Sequence, residues 1–422
     1  MTATLVQIEK PVYGGAFLAR VEGKAVFVPL ALPGEEARVR IVETKRGYDT
    51  AEIEEVATAA AERVEPRCPH FGACGGCNYQ HADYAAQLGF KQAILRETLE
   101  RAGVRGPEQF SVLAGDPWHY RNRIRLAFDA AGNPGYRGRR SREVIPIREC
   151  PIAAPLLVRA VFAFAGIARA TAPSLRAAEI SLFCDAGENE LWATVLVEKA
   201  GRVPVDAIGK AFRARVAELR GLEFVVSERK GQSRAFAHWG PAFIHYAAAG
   251  FDYRVEHGSF FQVNRWMIDA FVGKVTEGLR GKVAWDLYAG VGLFARKLAA
   301  SFERVVAVES ATEAVAALGE NLRDTKAEPC KSETLAFLRR QPSNQPPDLI
   351  VVDPPRTGLG ADVSAQLVRT SAPALVYVSC DPATLARDLR TFIHAGYGIN
   401  DITLVDLFPH TFHLEAVVRL RR

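Results

Sequence analysis

The stretch Val283-Ala-Trp-Asp286-Leu-Tyr-Ala-Gly290-Val-Gly292-Leu-Phe-Ala-Arg296 indicates the fold of the C-terminal part of the chain. It reads as an apolar strand that runs into a Gly-x-Gly turn and then into a helix. A second apolar strand, Arg304 to Glu309, ends in an acid about twenty residues after the first glycine. Because strands alternate with helices here, we predict an α/β domain with a parallel sheet over residues 251–422.

The Gly-x-Gly turn indicates a ligand close to the backbone, since glycine has no side chain to hold the ligand away. A carboxylate at Glu309 can accept hydrogen bonds from ribose hydroxyls. The dinucleotide fingerprint needs a third glycine, but Ala295 stands at that position. Asp286 before the turn fits S-adenosylmethionine better than NAD, because the former carries an adenosine and no pyrophosphate.

Cys380 is a candidate nucleophile because it ends the apolar run Ala374-Leu-Val-Tyr-Val-Ser-Cys. Asp381 and Pro382 then supply an N-cap and a first-turn proline for a helix that begins near Ala383. The thiol should therefore lie at the carboxyl end of a strand, where α/β sheets bind ligands. Beside a helix start it should ionise more easily than a buried thiol. The alternative is a small apolar residue within a strand.

Three cysteines lie within ten residues, at Cys68, Cys74 and Cys77, and a distant Cys150 is followed by proline. Glycines between the first three let the backbone turn tightly, so four thiolates can surround one centre. Such a set suits zinc or an iron-sulfur cluster, and spacing alone leaves both open. We favour a [4Fe-4S] cluster, because tetrathiolate zinc usually comes as two Cys-x-x-Cys pairs and only one is present.

Residues 1–58 alternate between short strands and glycine turns, which predicts a five-stranded barrel of the oligonucleotide-binding (OB) type. A structural barrel of SH3-like or OB-like type is the alternative, and the fold alone leaves RNA contact open.

Residues 59–250 are predicted to form a central α+β domain with an arginine-rich segment. Between Trp118 and Arg148, eight arginines stand against two acids, Asp129 and Glu143, with aromatic residues interleaved. On a strand, Arg121, Arg123 and Arg125 would share one cationic face. Arginine beside aromatic rings suits phosphates and unstacked bases, so we predict RNA binding. A solvated surface is the alternative.

Composition is ordinary for a soluble globular protein, with 49% hydrophobic and 24% charged residues in 422. The net charge is only +5, so any site for a polyanion must come from local clustering. No apolar run approaches the ~20 residues that span a bilayer. We therefore expect a cytoplasmic protein without a membrane segment, and a monomer.

Five motifs resemble the RNA 5-methyluridine methyltransferase family, and the likeness extends over essentially the whole chain. They are Gly-Ser259-Phe-Phe-Gln262-Val-Asn264, Asp286-Leu-Tyr-Ala-Gly290-Val-Gly292, Asp353-Pro-Pro-Arg356, Ser379-Cys380-Asp-Pro-Ala-Thr-Leu-Ala-Arg-Asp388 and Asp406-Leu-Phe-Pro-His-Thr-Phe-His413-Leu-Glu415. The cysteine set and the N-terminal module, which looks like a TRAM domain, resemble the branch that acts on 23S ribosomal RNA.

This resemblance implies a Rossmann-like, class I S-adenosylmethionine-dependent methyltransferase domain after the TRAM barrel and the iron-sulfur and RNA-binding domain. It implies Cys380 as the nucleophile and Glu415 as the base. It also implies two ligand sets: Gln262, Tyr288, Glu309 and Asp353 around S-adenosylmethionine, and Cys68, Cys74, Cys77 and Cys150 on a [4Fe-4S] cluster.

Two positions depart from the family pattern. Thr334 stands where an Asp or Asn is expected near the adenine, so that contact stays unassigned, and Asp381 replaces a common Asn. The sequence leaves three other functions as alternatives. They are a tRNA uracil-54 methyltransferase, a non-catalytic iron-sulfur RNA-binding protein, and an NAD-dependent oxidoreductase, which would have no use for a thiol beside a base.

Overall fold

The computed structural model describes residues 3–172, 174–228, 233–256, 258–342 and 345–422. Over these residues the chain forms sheets of six, seven and eight strands and a separate two-stranded hairpin. No helix in these ranges is long and apolar enough to cross a membrane.

The N-terminal sheet has six strands where the sequence predicted five. They are β1 (Thr4–Gln7), β2 (Lys10–Val12), β3 (Ala16–Val21), β4 (Lys24–Pro29), β5 (Glu36–Thr44) and β6 (Tyr48–Thr58). Their order is β1-β5-β6-β4-β3-β2, and β1 also contacts β3, so the sheet curls around a core that includes Phe17, Val28 and Val39. The extra strand, β2, is three residues long, and sequence alternation does not resolve so short a strand.

The next segment contains a helix, α1 (Tyr84–Arg101), and a short strand, β7 (Ser111–Leu113). Asp83 caps α1, since its carboxylate accepts from the Ala86 N–H at 2.7 Å.

The central sheet has the order β10-β9-β8-β11-β12-β13-β14 and packs against two helices. The elements in chain order are β8 (Arg123–Phe128), β9 (Pro134–Arg137), β10 (Val144–Pro146), α2 (Pro155–Thr171), β11 (Ala177–Cys184), β12 (Leu191–Val197), α3 (Val205–Arg215), β13 (Leu219–Ser227) and β14 (Ser233–Trp239). The hairpin β15 (Phe243–Ala248) and β16 (Phe251–Glu256) follows.

The C-terminal sheet has the order β19-β18-β17-β20-β21-β23-β22-β7. Its elements in chain order are α4 (Ile268–Thr276), β17 (Gly281–Leu287), α5 (Leu293–Leu298), β18 (Phe302–Glu309), α6 (Thr312–Leu322), β19 (Ala327–Lys331), α7 (Thr334–Arg340), β20 (Leu349–Val352), α8 (Gly360–Thr370), β21 (Ala374–Ser379), α9 (Pro382–His394), β22 (Gly398–Val405) and β23 (Glu415–Arg421). This alternation is the doubly wound α/β fold that the sequence predicted.

The strand order brings the candidate residues to one edge of this sheet. β17 pairs in parallel with both β18 and β20, and β20 pairs in parallel with β21. The chain therefore changes direction beside β17, and ligands of open α/β sheets bind at such a point. β23 runs antiparallel to β21 with Ala416 opposite Ser379, so Glu415 starts its strand where β21 ends.

Two elements of the predicted central domain, residues 59–250, pack with the C-terminal sheet instead of the central sheet. β7 pairs in parallel with β22, and the buried face of α1, with Leu95 and Leu99, enters the core of the C-terminal sheet. The spacing of apolar residues along a helix does not show which core its apolar face enters. The boundaries at residues 58 and 250 stay predictions.

Candidate active site

Cys380 lies directly after β21, at the start of α9, as the sequence predicted. The Asp381 carboxylate accepts from the Ala383 N–H at 3.1 Å and from the Thr384 N–H at 2.9 Å, and Pro382 occupies the first turn. The thiol is thus carried on a capped strand-to-helix corner that holds its backbone in place.

The expectation that this thiol ionises easily is wrong for the free protein. Burial raises the pKa of Cys380 to about 12, and the charges of Glu415 and Asp353 add to this effect, while Arg356 opposes it. Burial and the two carboxylates destabilise a thiolate. The helix start stabilises it, but by less than they destabilise it. The free protein therefore holds Cys380 as a thiol.

The two carboxyl groups beside Cys380 form a second unusual feature. Burial raises the pKa of Asp353, at the end of β20, to about 7. Burial also raises the pKa of Glu415 well above its usual value, with the Asp353 charge adding and Arg356 opposing. Two neighbouring carboxyl groups in a poorly solvated site resist ionising together, so each becomes a strong base once it loses its proton.

Arg356 belongs to this group, although the sequence assigned it no role. Its guanidinium Nη2 lies 2.8 Å from Nδ1 of His413. Burial and then the Arg356 charge lower the pKa of His413 to about 4, so the neutral ring accepts this hydrogen bond. The Asp353-Pro-Pro-Arg356 motif was the available clue, because it places a cation three residues after a carboxylate at the sheet edge.

The glycine turn after β17 leaves its backbone uncovered at Gly290. Gly290 has φ +55°, and a Cβ built there would meet nothing within 4 Å. Glu309 braces this turn: one carboxylate oxygen accepts from the Gly290 N–H at 2.9 Å, and the other accepts from the Ser310 and Ala311 N–H groups at 2.7 Å each. Glu309 was predicted to face ribose, and its position at the carboxyl end of β18 allows that contact in addition to the brace.

Asp286, just before the turn, is fully buried. Burial raises its pKa to about 7 and the charges of Asp353 and Glu309 add to this, while a hydrogen bond from the backbone of Ala295 opposes it. Ala295 belongs to α5, so Asp286 is tied to the helix that follows the glycine turn.

The other two residues predicted to bind the cofactor lie on separate segments. Tyr288 follows β17 with φ +67°, and its phenol oxygen accepts a hydrogen bond from the side chain of Thr334, the position left unassigned at the adenine. Gln262 is 7% exposed, and its carbonyl accepts from Nδ2 of Asn122 at 2.9 Å, which ties its loop to the central sheet.

The four predicted cluster cysteines line one small cavity of about 40 Å³ together with Arg121. Hydrogen bonds reach three of the sulfurs: from Nε2 of Gln80 to Cys77 at 3.3 Å, from the Gly76 N–H to Cys74 at 3.4 Å and from the Tyr136 hydroxyl to Cys150 at 3.8 Å. Nε of Arg121 is buried and has no partner in the described part of the chain. This cation and these donors fit an anionic thiolate cluster.

Within the described ranges, however, no group of three or more His, Cys, Asp or Glu side chains is arranged to hold a metal ion. The cysteines therefore share a cavity without forming a ready-made coordination site. The [4Fe-4S] assignment stays a prediction.

The arginine-rich segment departs from the predicted cationic strand face. Arg123 donates to the Ser259 carbonyl at 2.9 Å and stacks over the Phe183 ring at 4.3 Å, and Arg125 donates to Glu179 at 2.6 Å. Neighbouring strands supply these partners, which a single strand pattern does not reveal. Arg139 and Arg140 instead line an open cavity of about 440 Å³ between the barrel and the cysteine loop.

A buried ion pair holds the loop from Asp406 to His413 that leads to Glu415. Nζ of Lys91, on α1, lies 2.6 Å from Oδ1 of Asp406, and both side chains are fully buried. Lys91 also donates to the Phe408 carbonyl at 2.9 Å, and Gln87 accepts from the His410 N–H at 2.9 Å. The helix α1 thus positions the strand that begins with Glu415.

We predict that Lys91→Met lowers the free energy of unfolding by about 3–5 kcal/mol, because it leaves Asp406 buried without its cation. Urea unfolding followed by tryptophan fluorescence measures the loss. Lys91→Met combined with Asp406→Leu should recover part of it. Lys10→Met is the matched control: its partly exposed pair with Glu97 should contribute less than about 1 kcal/mol. Equal losses for the two single variants would contradict the prediction.

The raised pKa of Cys380 predicts a steep pH dependence of its alkylation. Only the thiolate reacts with iodoacetamide, so far below a pKa of about 12 the rate rises about tenfold per pH unit. We expect this slope to continue past about pH 9, while an added model cysteine peptide levels off near its ordinary pKa of about 8.5. Mass spectrometry of the Cys380 peptide measures the rate, and a plateau near that of the peptide would contradict the prediction.

Two family models match the chain. The model described as "tRNA (Uracil-5-)-methyltransferase" matches residues 344–422, which contain Cys380 and Glu415. The TRAM domain model matches residues 3–53, which confirms the predicted nature of the N-terminal barrel.

Relatives and solved structures match over almost the full length. The chain is 33% identical to the 23S rRNA (uracil(1939)-C(5))-methyltransferase RlmD of Halomonas elongata, covering 97% of this chain and 87% of that protein. It is 34% identical to an uncharacterized RNA methyltransferase of Streptomyces avermitilis, and the match covers 98% of this chain and 97% of that protein. Among solved structures, the chain matches the crystal structure of Pyrococcus abyssi tRNA (uracil-54, C5)-methyltransferase in complex with S-adenosyl-L-homocysteine. The TM-score is 0.80 and the sequence identity 25%, and the match covers 98% of this chain and 100% of that chain. The chain belongs to the RNA (uracil-C5) methyltransferase family.

Proposed function

We propose that this protein transfers a methyl group from S-adenosylmethionine to C5 of a uridine in structured RNA, with 23S ribosomal RNA as the substrate. The observation that carries the proposal is the meeting of Cys380, Asp353 and Glu415 at one sheet edge, next to the open Gly290 turn. Relatives named as 23S rRNA methyltransferases support the ribosomal substrate. The P. abyssi structure supports a tRNA substrate as the second candidate.

The chemistry needs a nucleophile because uracil C5 is a poor one by itself. The thiol of Cys380 loses its proton to solvent and Sγ bonds to C6, while the electrons of the C5–C6 double bond move into an enolate that makes C5 nucleophilic. Since the free thiol holds its proton, thiolate formation depends on the positive charge of Arg356, which opposes the effect of Glu415 and Asp353 on the pKa of Cys380.

Glu415 completes the reaction. Once C5 carries the new methyl group, its proton passes to the Glu415 carboxylate, the electrons of the broken C–H bond restore the C5–C6 double bond, and Sγ of Cys380 leaves C6. The raised pKa of Glu415 makes its carboxylate a strong proton acceptor.

S-adenosylmethionine would bind at the carboxyl ends of β17, β18 and β20, where it would supply an electrophilic methyl group on a positively charged sulfur. A Cβ built at Gly290 would meet nothing within 4 Å, so the backbone of this turn is open to a ligand, and Asp286 places a buried carboxyl group just before it. Gln262, Tyr288, Glu309 and Asp353 would surround this cofactor, with Glu309 directed at its ribose.

The RNA surface lies where the barrel, the cysteine loop and the arginine hairpin meet. Arg139 and Arg140 line the open cavity there, and Arg137 at its rim is exposed. Arginine side chains beside such a cavity bind phosphates and stack on unpaired bases. The target uridine must be turned out of the RNA fold to reach Cys380.

We assign a [4Fe-4S] cluster to Cys68, Cys74, Cys77 and Cys150, as a support for this RNA surface. The shared cavity, the hydrogen bonds to three sulfurs and the buried Nε of Arg121, which has no partner among the described residues, support the assignment. Iron and acid-labile sulfide in protein purified without oxygen would agree with it. Zinc without iron would refute it.

Methyl transfer from labelled S-adenosylmethionine to transcripts tests the proposed function. Methylation of a 23S ribosomal RNA fragment at uridine C5, with a tRNA transcript left unmodified, is the expected result. Methylation of the tRNA alone would mean that tRNA, and not ribosomal RNA, is the substrate. Methylation of neither RNA would refute the proposal. We place the enzyme in the cytoplasm as a monomer, in keeping with such a substrate.

A further inference from the structure

Tyr13 belongs to the N-terminal barrel but lies beside the nucleophile. Its hydroxyl is 3.4 Å from the carbonyl oxygen of Cys380, a residue 367 positions later in the chain. That carbonyl follows the last residue of β21 and takes no part in the pairing of that strand. The barrel therefore reaches the corner that carries the thiol.

The turn that presents Tyr13 is docked rather than free. Tyr13 is followed by Gly14 and Gly15, with φ of +105° and +87°, and a Cβ at Gly15 would approach Nδ2 of Asn78 to 2.9 Å. Asn78 in turn donates its N–H to the His410 carbonyl at 2.8 Å. The barrel turn, the cysteine loop and the loop before Glu415 thus contact one another at this point.

The ring of Tyr13 is also held from the side. It packs edge-on against Phe412 with 5.5 Å between ring centroids, and Phe412 contacts His413, the partner of Arg356, at 4.2 Å. Burial, the nearby Asp381 charge and a hydrogen bond to the Asp381 side chain raise the pKa of Tyr13, so its hydroxyl remains a donor. The phenol is thus held at the corner formed by Cys380 and Asp381.

We propose that Tyr13 is a positioning residue for methyl transfer: its hydroxyl donates to the Cys380 carbonyl and fixes the backbone from which the thiol attacks uracil C6. This inference rests on the proposed function. Covalent attack depends on sub-ångström placement of the two reacting atoms, so a single hydrogen bond to the nucleophile's own backbone affects the rate.

The same residue links the RNA surface to the site. Tyr13 lines a cavity of about 710 Å³ beside the barrel together with Lys10, Phe27, Tyr48 and Arg140. Arg140 also lines the cavity of about 440 Å³ at the proposed RNA surface, so Tyr13 lies between that surface and Cys380.

The test measures covalent adduct formation with ribosomal RNA that contains 5-fluorouridine, in a single turnover at saturating RNA. Fluorine at C5 cannot leave as a proton, so the adduct persists. Tyr13→Phe keeps the ring and removes only the hydroxyl, and it should slow adduct formation about five- to tenfold, as expected for one lost hydrogen bond. Its dissociation constant for RNA should stay within about twofold of wild type.

Tyr397→Phe is the matched control, because the Tyr397 hydroxyl donates to the Ala372 carbonyl at 2.7 Å, away from Cys380. It loses the same kind of bond and should form the adduct at the wild-type rate. Equal slowing of adduct formation in both variants would mean that Tyr13 only stabilises the fold, and it would overturn the inference. A Tyr13→Phe variant that changes only the affinity for RNA would overturn it as well. If wild type forms no adduct, the proposed function itself fails.

Discussion

Cys380→Ala is expected to abolish methyl transfer, with a fall in kcat of roughly 10⁴-fold or more, because removal of a covalent nucleophile leaves only binding and orientation. With RNA that contains 5-fluorouridine, wild type should give a slow-migrating band on a denaturing gel whose mass equals protein plus methylated RNA. The variant should give none. Binding of S-adenosylhomocysteine should persist, since the thiol is not predicted to contact the cofactor.

Cys330→Ala provides the control for this experiment. Cys330 is a partly buried residue of β19, at the opposite side of the same sheet. Its loss should leave both turnover and adduct formation unchanged. An adduct that survives in Cys380→Ala but disappears in another cysteine variant would assign the nucleophile elsewhere.

Local patterns predicted the elements of the catalytic half, and the order of strands follows from rules of α/β folds. Pro382 and Asp381 marked the start of α9, and the motif from Asp286 to Gly292 marked the turn after β17. Crossovers between parallel strands are right-handed and their connections are short, so the carboxyl ends of these strands meet at one edge of the sheet. Cys380, Asp353 and Glu309 could therefore be placed together from the sequence.

Contacts between distant segments were not available from the sequence. Nothing near Lys91 shows that it pairs with Asp406, and nothing near Tyr13 points to Cys380. The ionisation of Cys380 was misjudged for the same reason: the helix start is a local feature, whereas burial and the charges of Glu415 and Asp353 arise from the assembled fold. Local cues predict elements, and tertiary contacts determine electrostatics.

Glu415→Gln is expected to lower kcat roughly 10³-fold, in the range of a lost general base, and to change what accumulates. Cys380 can still add to C6 and C5 can still take the methyl group, but the C5 proton then has no acceptor. Methylated RNA should stay bound to Cys380 even when it contains ordinary uridine, a substrate with which wild type leaves no lasting adduct. A denaturing gel and mass spectrometry detect this species, and Glu320→Gln on the exposed side of α6 should behave as wild type.

The same substitution should make the protein more stable, which separates loss of a base from damage to the fold. The pKa of Glu415 is higher in the folded protein than the usual glutamate value, so the folded state binds more protons than the unfolded chain. Stability contributed by this group therefore falls as the pH rises above that usual value. Glutamine cannot ionise and avoids the loss. The melting temperature of Glu415→Gln should exceed that of wild type by more at about pH 8 than at about pH 5. A variant that is both inactive and less stable across this range would mean that Glu415 supports the structure rather than accepts the proton.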